Sequence, residues 1–297
     1  VPTDRPAESG QPTGPDGTTG HQTKTQALSV PDGPASSGSP PDTHVRSSVG
    51  GLSKCHWGLR LFNCLYPLRD PDRPNWGHSQ MNNINYIERQ LHNMYPSDGH
   101  AGSDTDILNL VRDEVNQRFE YLASRVKMLA RTGCSADSLH VMKSPIYLYL
   151  LARVIFERGM EDDSRIKDRI YCLNKSLNGC SIYYKIKMPD VFFLNYATAV
   201  VLGDCIYGEN LVVYQGVTVG GYRDKVPIVG TSVILMPNCI VTGSTRLGNN
   251  VVVSAGVVCV NQIIPDNTIV FSSKNRESEM SMHPLSNSNL YIDYFIN

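Results

Sequence analysis

From Val229 onward, aliphatic residues recur every six positions. The chain reads VGTSVI, LMPNCI, VTGSTR, LGNNVV, VSAGVV and CVNQII. The first positions are Val229, Leu235, Val241, Leu247, Val253 and Cys259. The fifth positions are Val233, Cys239, Thr245, Val251, Val257 and Ile263. A strand alternates with period two and a helix with about 3.6, so neither explains the spacing. Gly, Asn, Ser and Pro fill positions two to four and turn the chain. A short strand followed by a tight turn, three times over, closes a triangular coil. Stacked coils make a left-handed parallel β-helix, with the first and fifth residues as interior ladders. The pattern continues upstream as LGDCIY, GENLVV and YQGVTV, starting at Leu202, Gly208 and Tyr214. It then jumps nine residues from Gly220 to Val229, which places three extra residues within GGYRDKVPI. Such an insertion is expected as a corner loop, the usual place for function in repeat proteins.

The preceding region has helical period. Ile107, Val111, Val115, Phe119, Leu122, Val126 and Leu129 form an amphipathic stripe, with Asp104 as its expected cap. SPIYLYLLARVIFERG places Ser144 as a cap, Pro145 in the first turn and Gly159 as a stop. Ile166, Ile170, Leu173 and Leu177 form a third stripe, ended by Gly179. The expected fold class is therefore α+β, an N-terminal helical bundle followed by the β-helix. The expected boundaries are an extension over 1–80, helices over 81–180, solenoid over 181–272 and a tail over 273–297.

Composition changes this picture mainly at the ends. The first fifty residues are rich in Pro, Gly, Ser and Thr and poor in aliphatics, so they are expected to be disordered. Met81 is the first methionine, which raises the expectation that the native chain starts there. A formal net charge of −1 gives no electrostatic case for nucleic acid. No apolar run has the length to span a membrane, and no signal peptide is visible. Cys205, Cys239 and Cys259 fall inside the repeat and no CxxC occurs, so the thiols read as buried and the compartment as cytoplasmic.

Asn195-Tyr196-Ala197-Thr198-Ala199, Gly203-Asp204 and Gln215-Gly216-Val217-Thr218-Val219-Gly220-Gly221 follow one another before the corner loop. Over roughly Asn85 to Phe271, this order of helices, motifs and hexads resembles the serine acetyltransferase family. The resemblance implies transfer of acetyl from acetyl-CoA to L-serine, giving O-acetylserine for cysteine synthesis. YYKIKMPDVFFLNYATAVVLG also resembles short variants from surface-polysaccharide gene clusters, which keeps sugar hydroxyls open as acceptors.

The chain departs from the family at its chemistry. Its histidines stand at 21, 44, 56, 78, 92, 100, 140 and 283, none in the solenoid. Tyr196 matches the family's base, Ser181 its supporting carboxylate, and Val226 the histidine of the corner loop. An unperturbed tyrosine, with pKa near 10, is a poor base at neutral pH. Three readings stay open. The first is an O-acetyltransferase with rearranged groups, using Asn195 and Tyr196 at the acceptor, Asp190 or Asp224 as base, or His283 swinging in. The second is a degenerate homologue that acts as a trimeric scaffold or binds CoA. The third is another solenoid function, although a zinc-dependent one would need histidine ligands. The alternative for Tyr196 is packing at a ladder position, and for Asp190 and Asp224 solvated turns.

For the coenzyme, the resemblance places Gly221, Met236 and Ala255 along its groove. Lys274 and Arg276 are candidates for its phosphates. No metal is expected. The flat prism faces predict a homotrimer, doubled to a hexamer through the helices as in the family. A cysteine synthase partner at the C-terminus is a further expectation. The tail, with Leu290, Tyr291, Tyr294 and Phe295, is expected to cover the free end of the solenoid.

Overall fold

The computed structural model describes residues 83–97, 101–160, 164–272, 280–285 and 293–296. The expectations for 1–80, Lys274, Arg276, Leu290 and Tyr291 lie outside those residues.

Five helices come first among the described residues: α1 (Asn83–Met94), α2 (Ala101–Arg125), α3 (Lys127–Arg131), α4 (Ser144–Glu157) and α5 (Ile166–Asn178). The stripe of α2 runs through Leu108, Val111, Val115, Phe119 and Leu122, all buried. Leu108 takes the place expected for Ile107, which is half-buried. Asp104 is not a cap. It lies inside α2, where its carboxylate accepts from Arg169 Nη1 at 2.7 Å and from Ser164 Oγ at 2.8 Å. Helix α4 is buried nearly all round, as a central helix must be. Its N-cap is Lys143 rather than Ser144. The Lys143 Nζ donates to the carbonyls of Thr132, Gly133 and Ser135, at 3.1, 2.6 and 3.1 Å. In α5, Ile166, Ile170 and Leu173 are buried but Leu177 is exposed. Asn174 is buried in the same helix and donates to the Pro145 carbonyl at 2.9 Å. Gly159 and Gly179, both at φ +62°, end α4 and α5 as expected.

The solenoid is a left-handed parallel β-helix of about five turns. Its five-stranded sheet stacks β1 (Cys180–Ile182), β3 (Val200–Leu202), β6 (Thr218–Gly220), β9 (Ile240–Thr242) and β12 (Val258–Val260). The four-stranded sheet holds β4 (Ile206–Tyr207), β7 (Ile228–Val229), β10 (Arg246–Leu247) and β13 (Ile263–Ile264). The third holds β2 (Phe192–Asn195), β5 (Leu211–Tyr214), β8 (Ile234–Leu235), β11 (Val252–Val253) and β14 (Thr268–Ser272). Antiparallel β15 (Met280–Pro284) closes its edge.

Both predicted ladders are interior, with one break. Val229 through Cys259 and Val233 through Val257 are buried at their hexad positions, but Ile263 is 74% exposed and Ile264 turns inward instead. Leu247 pairs with Val229 eighteen residues back and with Ile264 only seventeen on. One residue is thus missing at the Asn261–Gln262 corner. Thr245, a buried polar residue, lies below that gap. Its hydroxyl reaches the Thr242 and Cys259 carbonyls at 2.7 and 3.2 Å and accepts the Gln262 N–H at 3.2 Å. Upstream, the interior positions are Tyr207, Val213 and Val219, not Gly208, Tyr214 and Gly220. These pair with residues twenty-two further on, so the corner loop inserts four residues rather than three.

The tail divides its contacts. Met280 Sδ lies 3.7 Å from Cys259 Sγ in the last turn. Tyr294 and Phe295 do not cover that end. They return to the break between α2 and α3, where Val126 is extended at φ −100° and ψ 111° and bridges Phe295. The Lys127 N–H donates to the Tyr294 carbonyl at 2.8 Å, and the Ile296 N–H to the Arg125 carbonyl at 2.7 Å.

Candidate functional site

The corner between the third and five-stranded sheets carries the motif residues. Asn195 pairs with Tyr214, so Tyr196 and Gln215 follow one above the other. Backbone bonds continue the column. The Gly216 N–H donates to Thr198 O at 3.0 Å, Asn238 N–H to Gln215 O at 3.0 Å and Gly256 N–H to Pro237 O at 2.9 Å. Asn195, Tyr196, Gln215, Met236 and Ala255 therefore share one edge of the prism. Tyr196 is not a ladder residue: Leu194 fills the interior, and Tyr196 sits half-buried on the turn at φ +57°. Met236 is buried and Ala255 exposed. The Gln215 Oε1 is the one buried side-chain nitrogen or oxygen among the described residues that has no hydrogen-bond partner. Its place in the QGVTVGG motif was the only sequence signal for it.

Other candidates sit on other corners. Gly221 and Asp224 belong to the loop between β6 and β7, which is exposed. Tyr222 and Lys225 close that loop by paired backbone bonds of 2.9 and 3.2 Å. A Cβ on Gly221 would meet the Lys225 carbonyl at 2.9 Å, so the turn needs glycine there. Asp190 precedes β2, at its opposite end from Asn195. The separation is on the order of 16 Å given the usual rise per residue. The backbone N–H groups of Asp190 and Val191 donate to the Glu209 carboxylate at 3.1 and 3.0 Å. Asp190 lines a cavity of about 480 Å³ with Tyr121, Arg125, Glu209 and Phe295. Within one chain, Tyr196, Asp224 and Asp190 thus occupy three different corners. His283, on β15, packs against Phe271 with ring centroids 5.9 Å apart. It lies five strands from β2, on the order of 24 Å at the usual strand spacing. The expectation that it swings to Tyr196 does not fit that distance.

Ser181, on the outer face of β1, shares a hydrogen bond of 2.9 Å with the Tyr171 hydroxyl of α5. Among the described residues, no group of three or more His, Cys, Asp or Glu side chains is placed to hold a metal ion. No described helix is long and apolar enough to cross a membrane.

No family model matches the chain. Among curated proteins, the serine acetyltransferase of Staphylococcus xylosus is 24% identical over 168 residues, covering 55% of this chain and 74% of that protein. That of Staphylococcus epidermidis is 25% identical over 169 residues, covering 55% and 75%. Over about half of its length the chain is similar to serine acetyltransferases. Two solved serine acetyltransferases share its fold. That of Neisseria gonorrhoeae has a TM-score of 0.54 at 15% identity, covering 71% of this chain and 81% of that chain. That of Vibrio cholerae has a TM-score of 0.54 at 14% identity, covering 69% and 80%.

Proposed function

We propose that the chain is an acetyl-CoA-dependent O-acetyltransferase that acetylates the hydroxyl of L-serine and releases coenzyme A. The observation that carries this reading is the relationship to serine acetyltransferases over 55% of the chain, a stretch long enough to hold helices and solenoid together. The reaction needs an acceptor hydroxyl to attack a thioester carbonyl while losing its proton. Asn195 and Tyr196 lie at the corner where polar groups meet solvent. Tyr196 orients the acceptor or donates to the developing oxyanion.

The corner suits a pantetheine arm, which is thin and carries amide N–H groups. The buried Gln215 Oε1, without a partner, is an acceptor for one of them. Met236 and Ala255 flank the same edge, and Gly221 borders the next. Lys274 and Arg276 are proposed for the phosphates. The five-stranded sheet leaves Val201, Val258 and Val260 exposed on a flat outer face. Three such prisms packed about an axis would bring the loop corner of one copy, with Asp224, toward the Tyr196 corner of the next. We therefore propose a homotrimer, doubled through the helices. The unpaired thiols of Cys180, Cys239 and Cys259 suit the reducing cytoplasm. Residues 294–296 are bonded to the α2–α3 break, so no cysteine synthase contact is proposed for them.

A second reading is favoured by one observation: Cys180–Ser272 contains no histidine. On that reading the protein binds CoA as a scaffold without efficient turnover. One assay separates the two. The protein is supplied with acetyl-CoA and either L-serine or sugars, thiol release is followed, and CoA binding is measured by calorimetry. Turnover on L-serine supports the first reading. Binding without turnover supports the second, and neither binding nor turnover sinks both.

A further inference from the structure

Helix α2 ends at Arg125 and α3 begins at Lys127, with Val126 extended between them at φ −100° and ψ 111°. Nothing in the local sequence breaks a helix there. Residues 122–131 read LASRVKMLAR, without Gly or Pro and rich in strong helix formers. Val126 and Leu129, both buried, continue the α2 stripe at spacings of four and three. The Ser124 hydroxyl donates to the Tyr121 carbonyl at 2.7 Å, a contact that bends a helix without extending a residue. A five-residue helix such as α3 has little stability alone, whereas joined to α2 it would be the end of one long helix.

The two backbone groups that the break frees both have partners in the C-terminal segment. In an unbroken helix the Lys127 N–H would reach the Ala123 carbonyl, and the Arg125 carbonyl would accept the Leu129 N–H. Instead, the Lys127 N–H donates to the Tyr294 carbonyl at 2.8 Å, and the Arg125 carbonyl accepts the Ile296 N–H at 2.7 Å. Phe295, between those two contacts, bridges Val126 as in an antiparallel pair and is buried. A sharp break in a helix has an identifiable cause, and here it is a strand-like segment paired with the break. That segment borders open space. Phe295 and Ile296 line the cavity of about 480 Å³ together with Tyr121 and Arg125 of α2, and Ile296 is exposed.

We infer that α2 and α3 are a two-state element held broken by residues 294–296. With the segment seated, Val126 is extended. With the segment withdrawn, Val126 turns helical and residues 101–131 form one helix, which satisfies the Lys127 N–H and the Arg125 carbonyl internally. The cavity loses its Phe295–Ile296 wall in the same step. Whatever takes up residues 294–296 thereby changes the shape of the helical part of the chain. The inference stands apart from the acetyltransferase reading.

The test reads the Val126 backbone directly by NMR. The dipeptide Arg-Val occurs twice, at Arg125-Val126 and Arg153-Val154. Labelling Arg carbonyls with ¹³C and Val with ¹³C and ¹⁵N therefore selects two signals, and Val126→Ile assigns them. Val154, inside α4, marks the helical position of the ¹³Cα signal. The full-length chain is compared with a chain ending at Asp293 and with full-length Ile296→Pro, which removes the N–H donated to Arg125. In the full-length chain Val126 should lie well upfield of Val154, as an extended residue does. In the chain ending at Asp293 it should move to the helical position. Ile296→Pro should show the helical position as well, alone or beside the extended one. An upfield Val126 in a folded chain ending at Asp293 overturns the inference. So does a coil signal there, because α3 would then melt rather than join α2. If that chain does not fold, Ile296→Pro decides, and an unchanged Val126 signal in it overturns the inference.

Discussion

The hydroxyls of Tyr214 and Tyr294 lie 2.8 Å apart, and their rings meet edge to face with centroids 6.5 Å apart. Tyr214 belongs to β5, whereas Tyr294 is bonded through its carbonyl to Lys127 of α3. This pair therefore joins solenoid, helices and C-terminal segment. Phe295, next to it, is 3% exposed. Phe295→Ala is expected to lower unfolding free energy by about 3–5 kcal/mol, the range for truncating a buried aromatic. Tyr294→Phe removes one hydrogen bond and should cost about 1 kcal/mol. Urea midpoints of both variants check the order. Equal losses would mean that the hydroxyl pair, not the buried ring, anchors the segment.

Stability should fall in alkali. Burial pushes the Tyr147 hydroxyl up to about 12 and the Cys180 thiol up to about 12. Burial also raises Tyr294. Each group is neutral in the fold, and the unfolded chain ionises first, from about pH 8.5 for thiols and about 10 for phenols. Their contribution is complete below those values and lost as pH climbs through the folded ones. Urea midpoints at pH 8, 9.5 and 11 should therefore decrease in that order. A constant midpoint would show that these side chains are open to water in the folded state.

Asp104 and Arg169 form an ion pair at 2.7 Å with side chains only 9% and 10% exposed. Arg169 also donates through Nε to the Tyr95 carbonyl at 2.7 Å, so the pair ties α2, α5 and the segment after α1. Asp104→Ala leaves a buried guanidinium without its carboxylate and is expected to cost about 3–5 kcal/mol. Replacing both residues by apolar side chains should cost less than the two single changes summed. Thermal unfolding of the three variants checks this. Additive losses would place both groups in water.

The hexad period revealed the prism because only a three-sided coil needs it, but register was hidden wherever two apolar residues adjoin. Ile263 and Ile264 fit either frame, so the missing residue at Asn261–Gln262 left no mark except Thr245 at a ladder position. Val213-Tyr214 and Val219-Gly220 shifted the upstream frame in the same way, and Ile107-Leu108 shifted the helix stripe. The candidate site was legible as the motif around Tyr196. Its neighbours were not. Asp190, Asp224 and Tyr196 are close in sequence terms, yet the coil sends each to a different corner. Conversely, Tyr171 and Asp168 come from α5 and reach Ser181 of β1 and Tyr184 just beyond it only through packing that no period records.

The corner column carries its own test. Gly216 has φ +69°, and a Cβ there would lie 1.9 Å from Asn238 Oδ1 in the turn above. Two separate penalties follow for Gly216→Ala. The left-handed backbone costs an L-residue roughly 1–2 kcal/mol. The clash with the Asn238 amide adds to that, because this side chain must rotate out of its place in the turn above. Asn238→Gly removes the obstructing amide and keeps the conformation available, so in a Gly216→Ala background it should restore the clash component and leave the backbone component. Urea midpoints of the two single variants and the double variant give the coupling directly. The double variant should be more stable than Gly216→Ala alone. If it is not, the stack of Gly216 on Asn238 does not set the spacing of the turns beside Tyr196.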